Sequence, residues 1–173
     1  MAGRGIACTQ FPEGAPDLIS GAGAEFRAIS DPTRLYPIEE PFGALENNPT
    51  GIFEPGMKTG SLVASFVNTY FQNTGVPVLG LSSSKGGSVI ANWQDHDDYL
   101  TDTITRLKSA QTFCEQHNIT LRHQYLLWCQ GESDGDHHTS ADEYTKQFMH
   151  MYEKLKAVGI EHCFLIGIGA YNG

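Results

Sequence analysis

Positive charge is scarce in this chain, where 11 lysines and arginines face 20 aspartates and glutamates for a net charge of −9. No basic patch is available to neutralise phosphates, which argues against a nucleic acid or an anionic membrane surface as partner. Long apolar runs are missing too. No stretch approaches the roughly 20 residues that a helix needs to cross a bilayer, so the sequence does not read as a membrane protein. The amino terminus carries no charged-then-apolar signal segment. Cysteine is sparse, at Cys8, Cys114, Cys129 and Cys163, without Cys-x-x-Cys spacing or a short disulfide framework. Cys129 and Cys163 sit in apolar strand-like runs and Cys114 on the apolar stripe of a predicted helix. These three read as buried thiols acting as small hydrophobes rather than as bridged pairs. The compartment stays open.

Proline is nearly absent from the second part of the chain: every proline except Pro77 lies before residue 58. That early segment is dense in glycine as well, and Pro-Glu-Gly, Asp-Pro-Thr, Asn-Asn-Pro-Thr-Gly and Glu-Pro-Gly are turn signals. Neither a period of 2 nor one of 3.6 persists there, so residues 2–58 read as mostly loop. A loop of that length inside a compact domain tends to be functional. At 173 residues, 40% hydrophobic and 18% charged, the chain fits a single domain with a sizeable core.

Beyond residue 58 the periodicity becomes clear. Leu62, Val63, Phe66, Val67, Tyr70 and Phe71 recur at helical spacing and stop at Gly75, which predicts a helix over 60–74. Residues 76–81 are a short apolar run with β-branched members, a buried strand. Leu100, Ile104, Leu107 and Cys114 predict an amphipathic helix over 99–117, capped by Asp97 or Asp98. A strand follows over 123–129. Ser140-Ala141-Asp142-Glu143 is a capping box for a helix carried by Tyr144, Phe148, Met151 and Leu155 to a stop near Gly159. Residues 163–168 are a last strand. This alternation over 59–173 predicts an α/β fold, a parallel sheet with right-handed crossovers and helices on both faces.

One strand ends in chemistry. Leu126-Leu127-Trp128-Cys129 runs into Gln130-Gly131-Glu132-Ser133-Asp134-Gly135, delivering an amide, acids, a hydroxyl and glycines where ligands bind in such folds, beyond the carboxyl ends of parallel strands. Trp128-Cys129-Gln130-Gly131-Glu132-Ser133-Asp134 resembles the Trp-x-Gln-Gly-Glu-Ser-Asp hallmark of the carbohydrate O-acetylesterases, the sialate O-acetylesterase and acetylxylan esterase group of the SGNH (GDSL-like) hydrolases. Ser84 to Trp93 resembles that family's Gly-Gly-(Ser/Thr)-x-Ile-x-x-Trp block, and Met1-Ala2-Gly3-Arg4-Gly5 resembles the tail of its Gly-Gln-Ser-Asn-Met-x-Gly-Arg-Gly opening.

The resemblance implies a flavodoxin-like three-layer sandwich and removal of O-acetyl groups from a sugar, such as sialic acid or xylan, by serine acyl transfer. It implies an acetylated carbohydrate as substrate and neither cofactor nor metal; oligomeric state stays open. The family's nucleophilic serine would precede Met1 and its Asp-x-x-His block would follow Gly173. The chain is therefore expected to be an incomplete SGNH domain, inactive as given, lacking the first strand and the carboxyl-terminal part. Oxyanion donors in that fold include a glycine N–H and a side-chain amide, which points to Gln130 and to one of Gly86 and Gly87. Glu132 and Asp134 form an acidic pair that could be read as general acid and base, but a serine mechanism needs a histidine base; Glu132 is expected instead to hold the loop that carries Gln130, with Arg4 as its ion-pair partner or in a surface salt bridge. Trp93 and Trp128 read as core or pocket wall.

Other readings of the same residues stand beside this one. Gly131-Glu132-Ser133-Asp134-Gly135 matches the Gly-x-Ser-x-Gly nucleophile elbow of α/β-hydrolases, but the predicted helix starts only at Ser140, whereas an elbow needs one at once. Asp95-His96-Asp97-Asp98 and Asp134-Gly135-Asp136-His137-His138 hold potential metal ligands without zinc or calcium spacing, and read as solvated loop ends. A catalytically inactive fragment or carbohydrate-binding relic is the alternative from a different functional class.

Overall fold

A computed structural model of the chain describes residues 2–3 and 14–167, and the fold divides into two compact units, residues 1–86 and 87–173. The first unit contains strands β1 (Ala2–Gly3), β2 (Gly23–Arg27), β3 (Asp31–Tyr36), β4 (Gly60–Ser61) and β5 (Val78–Leu81), with helix α1 (Val63–Thr74) between the last two. Gly75 adopts the left-handed conformation expected of a helix stop and donates its N–H to Phe71 O at 2.8 Å. Val63 and Val67 on α1 close a core with Ala22, Ile38 and Phe42.

β5 lies parallel to β2, from Gly23 opposite Val78 to Phe26 opposite Leu81, and β3 pairs antiparallel with the other edge of β2. The sheet is thus mixed, which corrects the expectation of a purely parallel one. The reason is the connection: only residues 28–30 separate β2 from β3, and so short a link joins antiparallel neighbours, whereas a parallel crossover needs a dozen residues or more. The hairpin also lies in the segment read as mostly loop. Its pattern is hidden because β2 buries a charge, Glu25, and β3 carries Pro32 on an edge strand, where a missing donor is tolerated.

The irregular stretch after the hairpin is held by buried charged groups. The Glu46 carboxylate accepts from Ile29 N, Ser30 N and Ser30 Oγ at 2.9, 3.1 and 2.7 Å. Glu25 pairs with Arg27 Nε at 2.8 Å and accepts from Gly43 N at 3.2 Å; burial pushes its carboxyl above the usual range even so. Lys58 Nζ donates to Gly43 O at 2.9 Å and to Ser82 Oγ at 3.1 Å. Such bonds satisfy backbone groups that a sheet or helix would otherwise satisfy.

The second unit contains a 3₁₀ turn (Ile90–Trp93), helices α2 (Asp98–Gln116), α3 (Glu132–Asp136) and α4 (Ala141–Lys156), and strands β6 (Tyr125–Trp128) and β7 (His162–Leu165). β6 and β7 are parallel, Tyr125 opposite His162 and Trp128 opposite Leu165. The 3₁₀ turn packs against α2 and α4. Leu100, Phe113 and Cys114 of α2 and Met151 and Leu155 of α4 are buried. Cys114, Cys129 and Cys163 are free thiols, and burial pushes that of Cys163 up to about 11; Cys8 lies outside the described residues. Among the described residues no helix is long and apolar enough to cross a membrane.

Both predicted caps are present. Asp97 Oδ1 accepts from Asp98 N at 2.9 Å, and Ser140 Oγ accepts from Glu143 N at 3.2 Å. Glu143 does not reciprocate as a full capping box would; its carboxylate accepts from Gln147 Nε2 instead. Ser140→Ala is expected to lower stability by about 1 kcal/mol, read as a shift in the urea midpoint at unchanged slope.

Candidate functional site

The end of β6 and the start of the second unit are joined by a network that the two sequence blocks supply. In the block beginning at Gly86, the 3₁₀ turn brings the Trp93 indole back so that Nε1 donates to Ser88 Oγ at 3.1 Å, which explains the spacing of serine and tryptophan. Val89 N donates to Asn92 Oδ1 at 3.1 Å, closing the turn from the other side. Trp93 meets Trp128 edge to face, ring centroids 5.3 Å apart at 85°, and both indoles are buried. They belong to the core beneath the site.

Gln130 stands just past β6, and all of its side-chain groups are engaged. Nε2 donates to Ser88 O at 2.7 Å and to Asp134 Oδ2, while Oε1 accepts from the Tyr144 hydroxyl at 2.9 Å. Asp134 is 3% exposed, and the same Oδ2 accepts from Ile90 N at 2.9 Å. One carboxylate oxygen therefore ties the Gly87–Ile90 segment to the strand end. Its other oxygen, Oδ1, is buried with no hydrogen-bond partner. Tyr144, on α4, also accepts from Trp128 Nε1 at 3.0 Å, and burial raises its phenol above the ordinary range.

The two glycines differ. Gly86 closes the first unit, and its N–H donates to both oxygens of the buried Glu54 carboxylate at 3.2 and 3.0 Å; Lys85 Nζ stands 3.8 Å from that group. Gly87, exposed, has no acceptor for its N–H among the described residues.

Glu132 is exposed and makes no hydrogen bond or ion pair among the described residues, while Asp134, two residues on, accepts from Ile90 N and Gln130 Nε2. The physical reason is the short helix: Gly131 at φ 143 lets the chain turn straight from β6 into α3, and that turn sends residue 132 outward and residue 134 inward. Arg4 lies outside the described residues. α3 also corrects the expectation that no helix starts before Ser140. It does not supply an elbow's base, since no histidine ring is hydrogen-bonded to Ser133 or to another serine hydroxyl among the described residues. At the acidic run near residue 95, Asp95 lies 3.0 Å from His150 Nε2 and 2.9 Å from Lys154 Nζ on an exposed face.

The sequence marked Asp134 only as an acid of the strand-end run and Tyr144 only as part of a helix's apolar face. One signal was available for the tyrosine: a tryptophan in an apolar strand carries a donor-only indole N–H, which needs an acceptor when buried.

Comparison with curated proteins finds no match. Residues 1–166 match the family described as carbohydrate esterase, sialic acid-specific acetylesterase. With nearly its whole length covered, including the Gly-Gly-Ser block and the Trp-x-Gln-Gly-Glu-Ser-Asp strand end that build this network, the chain belongs to the sialic acid-specific acetylesterase family of carbohydrate esterases.

Proposed function

We propose that the protein removes O-acetyl groups from a sugar, of the sialic acid or acetylxylan type, by serine acyl transfer on a three-layer SGNH hydrolase fold. The observation that carries this reading is the unengaged Gly87 N–H next to a residue whose carbonyl is gripped by Gln130. A tetrahedral intermediate needs donors fixed before the reaction, each worth roughly 3–4 kcal/mol of transition-state stabilisation. Gly87 has a donor to give, whereas the Gly86 N–H is already committed to Glu54. Gln130 is the second donor: its amide nitrogen lies at the same turn and serves the oxyanion by exchanging its bond to the Ser88 carbonyl. The sugar hydroxyl leaves as the acyl-serine forms, and water then takes up the acetyl group, so that acetate leaves.

The test uses protein expressed from the complete reading frame, with O-acetylated sialic acid, acetylated xylan and an aryl acetate offered in parallel. Acetate release from one of the sugars, with kcat/KM changed less than about twofold by Ser133→Ala, supports the reading. Turnover of the aryl acetate alone, abolished by Ser133→Ala, establishes an elbow hydrolase instead. Sugar binding without acetate release establishes the carbohydrate-binding relic.

A further inference from the structure

We infer that Trp128 and Tyr144 form a hydrogen-bond relay that sets which end of the Gln130 amide faces the Gly87–Ser88 turn, which makes Tyr144 a positioning residue of the esterase site. The inference rests on the oxyanion role proposed for Gln130. A primary amide has two ends of nearly equal shape and opposite hydrogen-bonding character, so a side-chain amide that is to donate must be prevented from turning over.

The relay begins with an atom that has no choice. The Trp128 indole N–H is a donor only, and it reaches the Tyr144 oxygen at 3.0 Å. That oxygen is thereby an acceptor on one side, and its single hydrogen is left for the other, where Gln130 Oε1 stands 2.9 Å away; the Gln130 carbonyl, at 3.2 Å, is the longer contact. With Oε1 held, Nε2 faces Ser88 O and Asp134 Oδ2, two acceptors. Turning the amide over would put its oxygen against those two oxygens and its nitrogen against the phenol hydrogen. Both contacts of the turned oxygen would be repulsive and the phenol hydrogen would be driven to its longer contact with the Gln130 carbonyl, in surroundings where an unmade bond is costly. Burial keeps the phenol protonated, so the relay retains its hydrogen. The tryptophan and glutamine of the Trp-x-Gln spacing are in this way two links of one chain, with Tyr144 between them.

Nitrogen-15 NMR of the Gln130 side-chain amide tests the relay on the whole protein, with Tyr144→Phe and Trp128→Phe as variants. In the wild type the two amide hydrogens should be well separated in shift and slow to exchange with solvent. In Tyr144→Phe their exchange should speed up at least tenfold while the backbone spectrum away from α4 stays unchanged. Trp128→Phe frees the phenol to rotate and should give a smaller change of the same sign. Gln130 amide exchange within twofold of wild type in both variants overturns the relay. Sugar acetate release is the second readout, in which Tyr144→Phe should lower kcat about tenfold with KM within twofold; an altered amide spectrum with unchanged kcat overturns the positioning role. Absence of acetate release by the wild type would refute the esterase reading, and with it the positioning role, while the amide spectra still decide the relay.

Discussion

Replacing Asp134 by alanine is expected to cost roughly 2–5 kcal/mol of stability, because two donors, a buried one at Ile90 and a half-buried one at Gln130, lose the acceptor that they share. Ile90, fully buried, would be left with a backbone N–H facing an apolar void, and Gln130 with one amide hydrogen unpaired. Asp134→Asn should fall between wild type and alanine. Its carbonyl oxygen can stand where Oδ2 stands and still accept from both Ile90 and Gln130, as a weaker neutral acceptor, while its NH₂ takes the place of Oδ1, which is buried and has no hydrogen-bond partner. The urea midpoint of the three proteins checks the order, and a loss below 0.5 kcal/mol in the alanine variant would show that the carboxylate does not tie the segment to the strand end.

Gly43→Ala is expected to be the most damaging small substitution in the first unit. A methyl group there would lie 2.0 Å from Ser82 Oγ and 2.3 Å from Ser82 Cβ. Ser82 is 2% exposed and is bonded to Lys58, so it has nowhere to go. The backbone adds to the problem, since φ at Gly43 is +70, where an L side chain costs about 1–2 kcal/mol. With overpacking of about 1–3 kcal/mol, the sum is roughly 2–5 kcal/mol. Gly56→Ala separates the two contributions: its φ is also +70 but nothing lies within 4 Å of the added methyl. That variant should lose only the backbone share. Equal melting temperatures for the two alanine variants would contradict the close approach at Ser82.

The helices were legible because their apolar residues recur at the helical period and their ends carry ordinary stop and cap signals. Val63, Val67 and Gly75 mark α1 without help from the rest of the chain, and Asp97 and Ser140 mark the starts of α2 and α4. The hairpin was not legible, because a buried Glu25 and an edge Pro32 break the alternation on which strand reading depends. Nor was α3, whose Glu-Ser-Asp-Gly-Asp has no apolar residue to recur at any period. In the site, sequence resemblance led to Gln130 and the two glycines, and geometry then told the glycines apart through Glu54. Which of Glu132 and Asp134 faces the strand end lay beyond sequence reasoning. Both are acids beside a strand end, and only the turn at Gly131 decides which one points inward.

The carboxylates that hold the irregular part of the first unit carry an evolutionary consequence. A surface loop usually drifts freely in length and sequence, but here Glu25, Glu46 and Glu54 each grip backbone amides at fixed distances along the chain. Residues that only fill the spans between those grips can be exchanged at little cost, whereas an insertion that shifts a grip out of step strands a buried acid. Descendants of this chain therefore have room to change the loop only in short, separate intervals, and the acids fix where those intervals begin and end.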